Sequence, residues 1–165
     1  GNEIVPVARE IEHLRLYVRM QNYRFPDKYN LTIRIDPELE NYRMIKLLLQ
    51  PIVENAIFHG LEKSKNRCEI VLHAGKQDGH ALFVIRDNGV GMDEATLARV
   101  RQAVYSPLPP SGGDEERGIG LRNVHERIVL HYGEAYGLTI RSSPGEGTQV
   151  ELKLPLAYDG EGEPQ

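Results

Sequence analysis

Three polar signatures interrupt otherwise apolar sequence at intervals of about thirty residues: Glu54-Asn55-Ala56-Ile57-Phe58-His59-Gly60, Asp87-Asn88-Gly89-Val90-Gly91-Met92 and Gly118-Ile119-Gly120-Leu121-Arg122-Asn123. An Asn on a helix, an aspartate heading a glycine turn and a glycine pair opening a helix are the parts needed to hold a metal-bound nucleotide. A fourth signature, Gly145-Glu146-Gly147-Thr148, stands before the last expected strand. Any one of them alone is weak; their order and spacing carry the argument.

Around the first signature, Leu49, Ile52, Val53, Ala56 and Ile57 fall in one arc of a helix turning about 100° per residue. Asn55 and His59, four apart, then stack at one margin of that arc. A neutral amide oxygen there suits Mg²⁺, which prefers oxygens and keeps several waters. Glu54 points elsewhere, beside Gln50. In the second signature, Asp87 closes an apolar strand, where an unpaired carboxylate is costly unless a donor arrives. The exocyclic amine of adenine is such a donor. Gly89 and Gly91 permit close backbone approach or positive φ, although Asp-Asn-Gly is also an ordinary turn tripeptide. Against a simple hairpin, Met92-Asp93-Glu94 starts a helix. In the third signature, Gly118-Ile119-Gly120 precedes a helix whose amides form an anion site, strengthened by Arg117 and Arg122. It is neither a Walker loop nor a dinucleotide fingerprint.

The elements that must position these groups alternate between helical and strand patterns. Residues 4–24 repeat apolar positions at helical spacing, and 29–35 alternate as a strand. A helix is expected over 43–59, with Gly60 as its left-handed C-terminal cap. Strands are expected over 68–73 and 81–85 across an Asp78-Gly79 turn, a helix over 93–104 and another over 120–131. Strands at 137–142 and 148–154 flank Pro144-Gly145. Residues 106–118, rich in Pro, Gly and acid, are expected to form a lid over the phosphates, and the tail after Tyr158 to be disordered. This order suggests a two-layer α/β sandwich: one mixed, largely antiparallel sheet with helices on one face.

Composition bounds the rest. The 165 residues suffice for one domain with a real core, and the net charge of −4 gives no basic bias toward nucleic acid. The single cysteine, Cys68, excludes an internal disulfide and suits a reducing compartment. The six histidines lack zinc-site spacing, and no nucleophile with an arranged partner is visible. With Gly1-Asn2 at its start and no signal-peptide pattern, the chain reads as an excised cytosolic piece of a larger protein.

In order and spacing these boxes resemble the GHKL ATPases, which include gyrase-type topoisomerases, heat-shock chaperones, mismatch-repair ATPases and sensor histidine kinases. Asn55 matches the N box, Asp87-x-Gly89-x-Gly91 the first glycine box, Gly118-x-Gly120-Leu121 the second and Gly145-x-Gly147-Thr148 the last. The resemblance, over about 40–155, implies the Bergerat fold, ATP as ligand, Asn55 on Mg²⁺, and Asp87 on adenine with Thr148 in support. It extends the nucleotide-binding set to His59, Gly89, Gly91, Met92, Arg117, Gly118, Ile119, Gly120, Leu121 and Arg122. Val5-Pro6-Val7, Glu10-Ile11-Glu12, Tyr17, Gln21 and Arg24-Phe25, with Leu49-Gln50-Pro51-Ile52-Val53-Glu54-Asn55, look like the LytS-type (YesM-like) sensor histidine kinases.

That closer resemblance implies three parts: 1–26 as the end of a dimerisation and phosphoacceptor helical region, 27–158 as the catalytic ATP-binding domain, and 159–165 as tail. It implies transfer of the γ-phosphoryl group to a histidine outside this chain. His13 does not match the Pro-His-Phe acceptor segment and reads as a solvated helix residue. ATP-hydrolysing relatives carry a Glu four residues before the Mg²⁺ Asn; here that place holds Pro51, which cannot be a base. Phe58 stands where other kinase branches have Lys, leaving His59 for a phosphate-side role and Glu54 as the possible catalytic group. A response regulator, a homodimer at full length and a membrane-anchored bacterial receptor follow by resemblance. A nucleotide-sensing module without transfer and a GHKL ATPase are the alternatives.

Overall fold

The computed structural model describes residues 3–61, 67–107 and 118–156. Its main sheet has five strands in the order β2-β4-β5-β7-β6: β2 (Tyr29–Ile35), β4 (Cys68–Gln77), β5 (His80–Asp87), β7 (Thr148–Pro155) and β6 (Gly137–Ser142). β2 pairs with β4 in parallel and the other pairs are antiparallel. Four helices complete it: α1 (Val7–Arg24), α2 (Gln50–Asn55), α3 (Glu94–Tyr105) and α4 (Ile119–Tyr132). This is the expected two-layer α/β sandwich.

The period of two along each strand decides which side is covered. Ile70, Leu72 and Ala74 of β4, Ala81, Phe83 and Ile85 of β5, and Val150, Leu152 and Leu154 of β7 are buried on one face. Val7, Leu14 and Val18 of α1, Ile52 and Val53 of α2, and Leu121, Val124 and Ile128 of α4 join them in one core. The β4–β5 connection is a two-residue hairpin with Asp78 at φ 49° and Gly79 at φ 83°, the mirror-image turn that suits strand twist. Asp93 caps α3, accepting from the Thr96 amide at 2.8 Å.

Two expected helices are shorter than their apolar patterns. Residues 4–6 form strand β1 (Ile4–Pro6), which pairs antiparallel with β3 (Arg43–Ile45), so α1 begins only at Val7. Residues 43–49 are therefore not helical. Met44, Ile45, Leu48 and Leu49 are all fully buried, and such a run satisfies strand and helix patterns equally well. The chain turns at Leu47, with φ 59°, before α2 begins. Beyond Asn55 the helix widens into a π turn, Ala56–Leu61, so Gly60 lies inside that turn rather than capping an α-helix. Residues 108–117, most of the expected lid, and 157–165 lie outside the described residues.

No described helix is long and apolar enough to cross a membrane. Phe83, fully buried in the central strand β5, tests the core. Phe83→Ala should lower the unfolding free energy by about 3–5 kcal/mol, read as a shift in urea midpoint with unchanged slope.

Candidate functional site

A crevice opens between α2 with its π turn, the ends of β5 and β7, and the start of α4. Asn55, His59, Asp87 and Thr148 give it polar groups, Ala56, Met92, Val100 and Leu121 apolar walls, and Gly91 part of its backbone lining. Asn55 and His59 thus share one side as their spacing predicts. Four residues come close to a full turn in a π turn as in an α-helix, so the widening keeps them together; π turns recur at functional sites.

Asp87, the last residue of β5, is only 6% exposed. Its Oδ1 accepts from the Gly89 amide at 2.8 Å and from the Thr148 amide at 3.2 Å. No described residue donates to Oδ2. Burial pushes the carboxyl above its ordinary value of 3.8, and the two amide bonds pull it part of the way back. The arrangement is a carboxylate oriented through one oxygen, with the other free to accept from a ligand.

The two glycine turns beside it are keyed together. Gly91, at φ 72°, would place a Cβ 1.9 Å from the Ser143 carbonyl oxygen, and Gly147, at φ 74°, 1.9 Å from that of Asp87. What both positions require is close passage of protein backbone, together with positive φ. The Gly145 amide donates to the Val90 carbonyl at 2.8 Å. Ser142, which sequence reading missed, ties the corner: its Oγ accepts from the Met92 amide at 2.9 Å, donates to the Gly147 carbonyl at 2.8 Å and lies 3.0 Å from Thr148 Oγ1. The signal for it was its register, since Ser142 pairs with Thr148 across the hairpin.

Among the described residues no side chain caps the start of α4, and amides at a helix start suit an anion. Gly118 is buried against α3, where a Cβ would lie 2.8 Å from Ala103 Cβ, whereas a Cβ on Gly120 would meet nothing within 4 Å. Leu121 is buried as a wall of the crevice and Ile119 is exposed.

Arg122, expected at the anion site, is engaged at the end of α3. It is buried, donating to the carbonyls of Ala103 (3.1 Å), Ser106 (2.8 Å) and Pro107 (3.4 Å) and pairing with Glu126 at 3.0 Å. A cation there satisfies the C-terminal carbonyls of α3. Arg117 lies outside the described residues. Glu54 does not line the crevice: it accepts from Gln50 Nε2 at 2.9 Å, and its charge, after burial itself, helps push the Tyr17 phenol on α1 up to about 12. Val100 and Ala56 were also missed, because an apolar wall residue reads as core. His13 is exposed on α1, as expected.

Two substitutions separate packing from ligand approach. Gly118→Ala should cost about 1–3 kcal/mol in urea unfolding, because Ala103 is backbone-fixed. Gly120→Ala should leave stability unchanged or raise it by up to about 1 kcal/mol, while weakening nucleotide binding by titration. Asp87 sets a pH dependence as well. Its carboxyl is raised in the fold, so the fold binds the proton more tightly than the unfolded chain does. That stabilisation is complete below the unfolded value near 3.8 and is lost as pH rises through the folded value. Asp87→Asn keeps an oxygen for both amides and buries no charge. Urea unfolding across pH should find the variant at least as stable as the parent at pH 7, with no such loss on raising pH.

Comparison with known proteins places this geometry. Residues 40–158 match the family described as histidine kinase-, DNA gyrase B-, and HSP90-like ATPase. The sensor histidine kinase YesM of Bacillus subtilis is 38% identical over 93% of this chain, and the match covers 24% of YesM. The sensor protein LytS of Bacillus anthracis is 30% identical over 92% of the chain and 25% of that protein. The chain thus spans about a quarter of the curated relatives it matches. In fold it is similar to the catalytic domain of histidine kinase ThkA (TM-score 0.64, 13% identity, 94% of this chain and 95% of that one). It is similar also to the Acinetobacter baumannii histidine kinase AdeS (TM-score 0.65, 13% identity, 96% and 68%). With the motifs in order and the fold in agreement, the chain belongs to the histidine kinase-, DNA gyrase B- and HSP90-like ATPase family.

Proposed function

We propose that this chain is the phosphoryl-donor module of a two-component kinase, holding ATP with Mg²⁺ and passing the γ-phosphoryl group to a histidine outside the chain. The observation that carries the reading is a buried acceptor, Asp87, lining a crevice that Asn55 and His59 line from the helix side. Asp87 Oδ2 accepts from the exocyclic amine of adenine, with Thr148 holding the carboxylate in place through its amide. The base lies between Met92 and Leu121, and the phosphates reach the backbone amides at the start of α4, at Gly118, Ile119 and Gly120. His59 and Arg117 serve the phosphate side.

Asn55 supplies an amide oxygen to Mg²⁺. Among the described residues no three His, Cys, Asp or Glu side chains gather into a metal-binding group. That donor set fits a hard cation that takes few protein oxygens and fills its shell with phosphate and water. When bound, the cation neutralises charge on the phosphate oxygens.

In the transfer, an imidazole nitrogen of the acceptor attacks the γ-phosphorus. The bond to the bridging oxygen breaks and ADP leaves with that electron pair. Placement of the two reactants is the main task left to the protein. Pro51 lies in the first turn of α2, where its missing amide hydrogen costs nothing and no side chain can activate water. Residues 1–26 are the end of the dimerisation-helix region, with α1 seated on the catalytic domain. The full-length protein is a dimeric, membrane-anchored receptor whose phosphohistidine serves a response-regulator aspartate.

The decisive experiment incubates the chain with Mg·ATP labelled at the γ-phosphate and a polypeptide carrying the upstream histidine region. Acid-labile, base-stable label on that polypeptide is the expected result. Release of free phosphate at a comparable rate would identify an ATPase, and nucleotide binding with neither product a sensing module. Asp87→Asn should lower ATP affinity by at least about tenfold, the order of a lost buried hydrogen bond to a charged group; unchanged affinity would refute the adenine contact.

A further inference from the structure

The turn at 46–48 is gripped from two helices at once. On one side, Glu10 of α1, a carboxylate only 2% exposed, accepts from the Leu47 amide at 2.7 Å and from the Leu48 amide at 3.1 Å, one to each oxygen. On the other, Arg127 of α4 donates to the Lys46 carbonyl at 2.7 Å and to the Leu47 carbonyl at 3.1 Å. Just before the turn, the Ile45 amide donates to Tyr132 Oη of α4 at 3.2 Å. Leu47 itself holds φ 59°, a conformation that a branched side chain adopts only where its surroundings dictate it.

The turn leads directly into α2, whose start has no side-chain cap of its own. Two buried carboxylate oxygens on the amides of the two residues before its N-cap, Leu49, fix the backbone that enters the helix and place negative charge near its N-terminal end, which suits its dipole. α2 is short and its last α-helical residue is Asn55, so wherever the turn is held, Asn55 is held. Arg127 stands about two helical turns along α4 from Gly120. A single backbone turn therefore joins the helix carrying the metal-side Asn55 to the helix carrying the phosphate-side glycines.

We infer that Glu10 and Arg127 are positioning residues for the nucleotide site: through the 46–48 turn they set the separation and register of α2 and α4. The adenine contact is built differently, on β5 and β7, and does not depend on this clamp. α1, none of whose residues lines the crevice, thereby acquires a grip chiefly on the metal and phosphate side. This rests on reading the crevice as a site for nucleotide with its metal.

The test compares binding of Mg·ATP and of adenosine to the chain and to Glu10→Gln, Arg127→Met and Asp87→Asn. Circular dichroism confirms that each is folded at the working temperature. Gln keeps one acceptor oxygen but turns a donor toward the second amide. Glu10→Gln and Arg127→Met should each weaken Mg·ATP by about tenfold, the scale found for groups that orient metal ligands, while adenosine binding changes less than about twofold. Leu154→Val, buried at the sheet end remote from the crevice, controls for simple loss of stability and should shift the two ligands alike or not at all. Unchanged Mg·ATP affinity in both clamp variants, or equal loss of ATP and adenosine, overturns the inference. If Asp87→Asn loses both ligands while the clamp variants behave like the parent, only the clamp fails. If Asp87→Asn also leaves both affinities intact, the site reading fails with it.

Discussion

A carboxylate at the buried end of a central strand is the constraint on which this molecule turns. Asp87 cannot remain ionised among apolar neighbours without donors, and the chain supplies two backbone amides from different loops, Gly89 and Thr148. That double acceptance binds the β5 exit to the β7 entry and leaves the second oxygen without a donor among the described residues. The order β5-β7 in the sheet, the Ser142 corner and the crossing of two glycine turns all serve to deliver the second amide. The cost of burial is thereby converted into orientation, which a carboxylate on the surface would lack.

The helix side is assembled by other means. α2 and α4 bury leucine, isoleucine and valine against the sheet, which fixes their distance from it. Apolar contacts are non-directional, so lateral register comes from polar groups: Glu10 and Arg127 at the 46–48 turn, and Arg122 on the carbonyls that end α3. The crevice thus has a strand side fixed by sheet pairing and a helix side fixed by polar side chains.

Much of this was legible in the residues. The strand alternation, the Asp78-Gly79 hairpin, the helix that starts at about Asp93 and the adjacency of Asn55 to His59 follow from local chemistry, and the structure contains each of them. The start of α2 was not legible, because Met44, Ile45, Leu48 and Leu49 are buried whichever element they adopt, and only pairing with residues 4–6 far earlier decides it. Arg122 was misplaced for a related reason. An arginine beside a glycine pair reads as an anion ligand, and only the fold brings the open end of α3 within its reach. Ser142 and Val100 went unseen because a lone serine and a core valine carry no local mark of a site.

Gly91 and Gly147 have a consequence of their own. Each excludes a side chain because of backbone belonging to the opposing turn, so the two positions, distant in the chain, register one steric event. Once either turn has been forced away, the space denied to the other is already open. The penalties of altering both must then fall short of their sum, and the shortfall measures how rigidly the two loops are pressed together. In the language of sequence variation the pair is a single site with two addresses, intolerant of change one letter at a time and more permissive of change in concert.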